Sequence, residues 1–382
     1  MSALNEYMVP GLIKNAPSPC LSLYQKTHRT FPENRQDTLR YTNLLSTLQR
    51  SLAQKYPARE IQTLLEPYLQ LADDEDFWTH ALDGLAVFGA PGFFHAYRFQ
   101  GSPRELAIAA DSFHTKPLLR VMQSSRRFHI LSLSRTTAAM FEADQYSIDA
   151  LQLPSDFPAT LEQALGSELS HPEITLASFG PAAGGGVRRH GHSSRRDEEE
   201  IDTEKFFRQV DSAVSRMFSN TSGMPLMLAA LPEHQGLFRK ISKNERLIKE
   251  AMTTDPQHLS EEQLKKRAWE AMAPVHAARI SREGELCAAA IASGTGTDDP
   301  ETAAVAAAEG RIAVLLLRSE ALLPGKLDPA TGEVTFAPLD NPGVDDLLDD
   351  IGSLVMEKGG RVLVLSDEEM PSITGLAAAY RF

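Results

Sequence analysis

The chain has 382 residues, with 38 Lys and Arg against 51 Asp and Glu for a formal net charge of −13, and 42% of its residues are apolar. At roughly 150 residues per domain, this length allows two to three domains, each able to bury its own core. The composition excludes a disordered chain, and the net acidity excludes a simple nucleic-acid coat. The charge is uneven: residues 1–126 carry +1, residues 127–280 carry −3 and residues 281–382 carry −11. Cys20 and Cys287 stand far apart, in no metal-binding or disulfide pattern, which fits a reducing cytosol. The longest apolar runs, residues 226–231 and 312–317, are strand-sized, and the first residues lack the basic-then-apolar pattern of a signal peptide. The expected location is therefore cytoplasmic, with no membrane partner.

In chain order, residues 20–24 alternate as a strand should, and the following loop carries Lys26, His28 and Arg29. Leu39, Leu44, Leu45, Leu48 and Leu52 predict an amphipathic helix that ends before Pro57, and Ile61, Leu64, Leu65, Tyr68 and Leu69 predict a second. Residues 84–90 and 93–99 flank Pro91-Gly92 as a hairpin, and residues 106–110 read as another strand. Near Arg127 a new unit begins, with strands expected at 128–133 and 138–142 and a third at 146–153. Periodicity then stops over residues 166–196, a stretch rich in Gly, Ser, Pro and His. The acidic run 197–200 would sit in the positive first turn of the next helix, whose core stripe is Phe206, Phe207, Val210, Ala213, Val214, Met217 and Phe218. Residues 225–231 predict a buried strand and 237–249 a helix, and Ser260 with Gln263 forms a capping box for a further helix. From residue 281 onward, helices at 300–309 and 345–358 alternate with strands at 312–317 and 362–365, as in α/β units.

The Gly-rich basic loop is the most informative feature. Gly184, Gly185 and Gly186 permit close backbone approach to a ligand, and Arg188, Arg189, Arg195 and Arg196 supply forks for phosphate. It reads either as an RNA-docking element or as a solvated connector, and it is not a P-loop, since no Gly-Lys-Ser/Thr follows. His190 and His192 would chelate a metal only if the loop folded back onto Asp197 or Glu198, so no metal and no cofactor are expected. Thr27-His28-Arg29 lies just past a strand end, where α/β sheets often bind ligands, or is an exposed connector. Asp73-Asp74-Glu75-Asp76 is a Mg²⁺-type carboxylate run or a solvated helix end. No nucleophile elbow, no His-Glu-x-x-His helix and no Cys near a His supports standard hydrolytic catalysis.

Several stretches together resemble one family. The 128–142 hairpin, the Gly-Gly loop, Lys205-Phe206-Phe207-Arg208-Gln209-Val210, Leu226-Met227-Leu228-Ala229-Ala230, Gly359-Gly360-Arg361-Val362-Leu363-Val364-Leu365 and the closing Ala378-Ala379-Tyr380-Arg381-Phe382 are similar to archaeal and eukaryotic class-1 release factors and Pelota. Leu23-Tyr24, Thr27-His28-Arg29, Asp74-Glu75-Asp76-Phe77-Trp78, Asp83-Gly84-Leu85-Ala86-Val87-Phe88 and Asp111-Ser112-Phe113-His114 extend the likeness to the bacterial branch of that superfamily.

The resemblance implies three α/β domains: 1–126 on the decoding side, 127–280 ribonuclease-H-like with the functional loop 166–200, and 281–382 a small acidic α/β/α sandwich that meets protein partners such as a translational GTPase. It implies a ribosome-associated protein that docks in the A site as a tRNA mimic, in rescue, quality control or hibernation. Arg188, Arg189, Arg195, Arg196, His28 and Arg29 would contact rRNA. Peptide-releasing members carry Gly-Gly-Gln, whereas this chain has Gly185-Gly186-Val187. Valine offers no side-chain hydrogen bond, so release activity is not expected, although backbone N–H groups remain for an oxyanion. The alternative is a hydrolase acting on peptidyl-tRNA or a phosphodiester through Gly185, Gly186, His190 and His192.

Overall fold

The computed structural model describes residues 17–124, 127–166, 192–254 and 259–382. They form two compact units, one built from residues up to 124 together with 277–382, the other from 125–276.

In the first unit, the apolar alternation of Cys20–Lys26 makes it the inner strand of an antiparallel sheet in the order Phe93–Phe99, Gly84–Ala90, Cys20–Lys26, Leu106–Ala110. Gly92 turns the hairpin at φ +77°, the left-handed conformation that favours glycine. One face of the sheet, with Leu21, Leu23, Leu85 and Val87, is covered by helices Asp37–Leu52 and Ala58–Ala72. The buried stripe of the first helix is Tyr41, Leu45, Leu48 and Leu52, while Leu39 is 64% exposed. The sequence stripe of leucines is thus corrected: the aromatic ring of Tyr41, not Leu39, fills the face toward the sheet. Leu69 is likewise exposed, and Tyr68 and Leu71 take the inner face of the second helix.

The opposite sheet face, with Cys20, Tyr24, Ala86 and Phe88, packs on helix Lys116–Ser124 through Leu118 and Leu119. This helix also meets the chain's last region. The Gln123 side-chain amide donates to Val362 O at 2.6 Å and accepts from Val364 N at 2.8 Å, pairing with the edge of strand Arg361–Leu365 as a further strand would. That strand lies in a second sheet, ordered Gly296–Thr297, Leu376–Tyr380, Ile312–Arg318, Arg361–Leu365. Leu315 and Leu317 face helices Pro300–Ala308 and Leu347–Glu357, whereas Val314 and Leu316 face Cys287 and Ala290 at the end of helix Glu261–Ala292. The layering is α/β/α, as expected. A small sheet of Val334–Phe336, Pro324–Leu327 and Asp345–Asp346 precedes the Leu347–Glu357 helix.

The second unit has one five-stranded sheet in the order Ile148–Ala150, Ala138–Ala143, Phe128–Leu133, Leu226–Ala230, Leu247–Thr253. The first three strands in sequence pair antiparallel, and the last two run parallel to Phe128–Leu133. This 3-2-1-4-5 order is the ribonuclease-H-like arrangement. Phe206, Phe207, Val210 and Val214 of helix His192–Val214 cover one face with Phe238, and Leu264, Ala268 and Met272 cover the other.

Three expectations change here. Helix His192–Val214 begins before the acidic run, so Asp197 to Glu200 lie within it and not in its first turn. Residues 237–249 are not one helix: Pro232–Ile241 is helical, Ser242 to Asn244 turn under Asp211, and Leu247–Thr253 is the edge strand. The third strand is only Ile148–Ala150. The Ser260–Gln263 capping box is formed, with Gln263 N donating to Ser260 Oγ at 3.3 Å and Ser260 N to Gln263 Oε1 at 3.2 Å.

Candidate functional site

Of the residues singled out by sequence, Gly185, Gly186, Val187, Arg188, Arg189 and His190 lie outside the described residues. His192, Arg195 and Arg196 are placed only by backbone, on the first turns of helix His192–Val214. His28 and Arg29 both carry internal partners. His28 Nδ1 is 2.8 Å from Asp37 Oδ1 and its backbone N donates to Asp37 Oδ2 at 2.7 Å. Arg29 forms a two-pronged pair with Asp83, both contacts at 2.8 Å, which holds the Asp83 carboxyl below its ordinary range. A phosphate at either residue would have to compete with these carboxylates.

The structure assembles a different constellation inside the first unit. Strand Leu106–Ala110 ends in Asp111-Ser112-Phe113-His114-Thr115, which leads straight into helix Lys116–Ser124. Tyr24 Oη donates to His114 O at 2.6 Å, and His114 N donates to Ser22 Oγ at 2.9 Å, so strand Cys20–Lys26 fixes this turn from below. The Asp345–Asp346 strand and the following helix Leu347–Glu357 meet the turn from the other side. Asp349 Oδ1 accepts the backbone N–H of Thr115 at 2.8 Å and also that of Lys116, capping a helix some 230 positions earlier in the chain. Asp346 Oδ1 accepts from Leu348 N at 3.2 Å and Leu323 N at 2.8 Å, while its Oδ2 takes the Lys116 ammonium, which also donates to Ala321 O. His114 Nδ1 lies 3.1 Å from Asp345 Oδ1 and 4.0 Å from Asp349 Oδ1. Ser112 Oγ donates to Asp350 Oδ1 at 2.7 Å.

His114, Lys116, Asp345, Asp346 and Asp349 are each no more than 2% exposed. Three carboxylates therefore share this site with one ammonium and one imidazole, and Asp350 stands beside them. Unit charges about 4 Å apart repel by roughly 4 kcal/mol at the effective dielectric of a protein. Burial pushes Asp345 up to about 8, against the pull of the Asp346 N–H, and Asp349 up to about 7, against the pull of His114. Burial also holds His114 below its ordinary range, against Asp349 and Asp346, which act the other way. A cleft of about 270 Å³ opens beside the cluster, lined by Cys20, Asp111, Lys326, Asp345, Asp350 and Glu357 among others. Burial, then Asp111 and Asp345, push the Cys20 thiol up to about 12, so it is no nucleophile.

Sequence pattern alone passed over this cluster. Its signal was the pattern Asp345-Asp346-x-x-Asp349-Asp350 on a helix otherwise apolar at Leu347, Leu348, Ile351, Leu354 and Val355. Acids on the inward face of such a helix need interior partners.

Residues 127–311 match the profile of bacterial archaeo-eukaryotic release factor family 3. Over that stretch, a little under half of the chain, the sequence is similar to that family. Among solved structures it is similar to the archaeal translation termination factor aRF1, at 16% identity over 98% of this chain and 96% of that one, with a TM-score of 0.25. It is similar to archaeal Pelota, taken from a model of ribosome-bound Pelota and ABCE1, at 15% identity over 76% and 72%, with a TM-score of 0.43. Dom34 of S. cerevisiae, a translation termination-like factor, gives 14% identity over 76% and 74%, with a TM-score of 0.38. Superpositions this loose carry no argument about activity. No curated protein matches the chain. No helix among the described residues is long and apolar enough to cross a membrane.

Proposed function

We propose that this chain is a cytoplasmic, ribosome-associated factor of the release-factor type that occupies the A site as a tRNA mimic and acts in rescue, quality control or hibernation without releasing peptide. The observation that carries the reading is the family match over residues 127–311, the stretch that also has the 3-2-1-4-5 sheet. The resemblance maps the peptide-releasing loop onto Gly185-Gly186-Val187, and Val187 removes the side chain that would position water. Arg188, Arg189, Arg195 and Arg196 form the RNA-facing tip of the reading. The acidic residues 281–382 supply the surface for a protein partner such as a translational GTPase. Asp345, Asp346 and Asp349 are buried and contribute nothing to that surface.

The test is co-sedimentation of the full chain with idle and with stalled ribosomes at low and at raised salt, beside an assay on a model peptidyl-tRNA. Salt-sensitive binding with no hydrolysis is the expected result. A chain that stays in the supernatant in every condition overturns the reading, and hydrolysis of the ester moves the protein to the enzymatic alternative.

A further inference from the structure

We infer that His114, Asp345 and Asp349 form a site for one divalent transition-metal ion of the zinc or manganese class, which fastens the turn before helix Lys116–Ser124 to the start of helix Leu347–Glu357. The proposal stands apart from the ribosomal reading and goes beyond the sequence expectation of no metal.

Geometry is the first support. One potential ligand atom from each of the three side chains lies within 4.8 Å of the others. The 3.1 Å from His114 Nδ1 to Asp345 Oδ1 suits neighbouring ligands of an ion held at about 2.0–2.2 Å, which stand roughly 3.0–3.5 Å apart. The 4.0 Å to Asp349 Oδ1 lies between that spacing and the separation of opposite ligands.

A second and independent support is unmet bonding capacity. His114 Nε2, Asp345 Oδ2 and Asp349 Oδ2 are buried with no hydrogen-bond partner. Buried polar atoms are almost always paired, so two orphan carboxylate oxygens within one cluster point to a missing partner. A cation would fill that place, because both atoms are carboxylate oxygens and the ammonium of Lys116 is already committed to Asp346 and Ala321.

The supporting groups hold the three side chains as a metal site requires. Asp346 N donates to Asp345 Oδ1 at 2.7 Å, Thr115 N to Asp349 Oδ1 at 2.8 Å, and Ser22 accepts the backbone N–H of His114. One imidazole with two carboxylates favours Zn²⁺ or Mn²⁺ over Mg²⁺ or Ca²⁺, which prefer all-oxygen shells. Asp345 also lines the cleft beside the cluster, which gives an ion a way in.

The full chain, stripped with a chelator and dialysed, is titrated calorimetrically with Zn²⁺ and with Mn²⁺, and separately with Co²⁺ while visible absorption is recorded. One equivalent should bind, with d–d bands for cobalt and an unfolding midpoint raised by several degrees. Asp345→Asn with Asp349→Asn keeps the shape and most acceptors, and should weaken binding by at least about 100-fold. A Glu75→Gln, Asp76→Asn variant in the exposed acidic run should bind as the wild type does. Absence of stoichiometric binding by the wild type, or equal affinity in the Asn variant, overturns the proposal in favour of a proton shared among the carboxylates. If the Asn variant does not fold, the wild-type stoichiometry and cobalt spectrum decide alone: one equivalent with d–d bands supports the site, and their absence overturns it.

Discussion

The Lys116 ammonium bonds the Asp346 carboxylate across 230 positions of sequence, with both side chains no more than 1% exposed. In a low-dielectric interior such a pair is costly to form and far more costly to break, because the remaining charge has no water to turn to.

Lys116→Met should therefore lower stability by about 3–5 kcal/mol, measured by chemical denaturation. Adding Asp346→Asn should cost much less than the sum of the two single changes. Strictly additive effects would show that the two groups do not depend on each other.

Leu45 is 4% exposed and Leu39 is 64% exposed, although both stand on the leucine-rich helix Asp37–Leu52. Leu45→Ala should cost about 2–5 kcal/mol through reduced burial and the cavity it leaves, whereas Leu39→Ala should stay within about 0.5 kcal/mol. Equal shifts in the denaturation midpoint would contradict the face assigned to this helix.

Gly92 and Gly332 share a φ of +77°, yet differ in their surroundings. A Cβ at Gly92 meets nothing within 4 Å, while one at Gly332 would sit 2.4 Å from Val305 Cα and 2.7 Å from Ala304 O. Gly92→Ala should cost about 1–2 kcal/mol of backbone strain alone. Gly332→Ala should add about 1–3 kcal/mol for displacing helix Pro300–Ala308, seen as a separate drop in thermal midpoint.

His129 lies 3% exposed on strand Phe128–Leu133, edge-on to Phe218 at 5.9 Å, with Nδ1 unpartnered. Burial holds its pKa below the ordinary 6.5, against Glu142, which pulls upward. At this site the unfolded chain thus takes up a proton first as pH falls, so the contribution of His129 to stability is full above about pH 6.5 and declines below it. His129→Phe keeps the ring and removes the titration, so its urea midpoint should fall less between about pH 7 and about pH 5 than that of the wild type.

If the basic tip meets rRNA, each neutralised phosphate releases counterions. Replacing Arg188 and Arg189 with Gln should lower the slope of log affinity against log salt by about 1 for each phosphate no longer neutralised. An unchanged slope in ribosome binding would remove these two residues from the interface.

Most elements were legible from local pattern. The 84–90 and 93–99 hairpin, the strand at 106–110, the Phe206–Phe207–Val210–Val214 stripe and the capping box at Ser260 all follow from period and turn chemistry, which depend on neighbours a few residues away. Where two local signals competed, the sequence misled. The polar run around Lys243 hid a turn between helix Pro232–Ile241 and strand Leu247–Thr253, because Ser242 and Lys243 are tied down by Asp211 from a distant helix.

The sequence by itself determined an α/β chain with an acidic last quarter and a Gly184-Gly185-Gly186-Val187 run. Only the tertiary structure decided that residues up to 124 and residues from 277 onward form one unit, and that Asp345, Asp346 and Asp349 turn inward to His114 and Lys116. The reason is physical: a carboxylate on a helix reads as a solvated group unless its partner is known. Here the partners stand some 230 positions away, beyond the reach of any periodicity, and are brought together only by the packing of two sheets around one short helix.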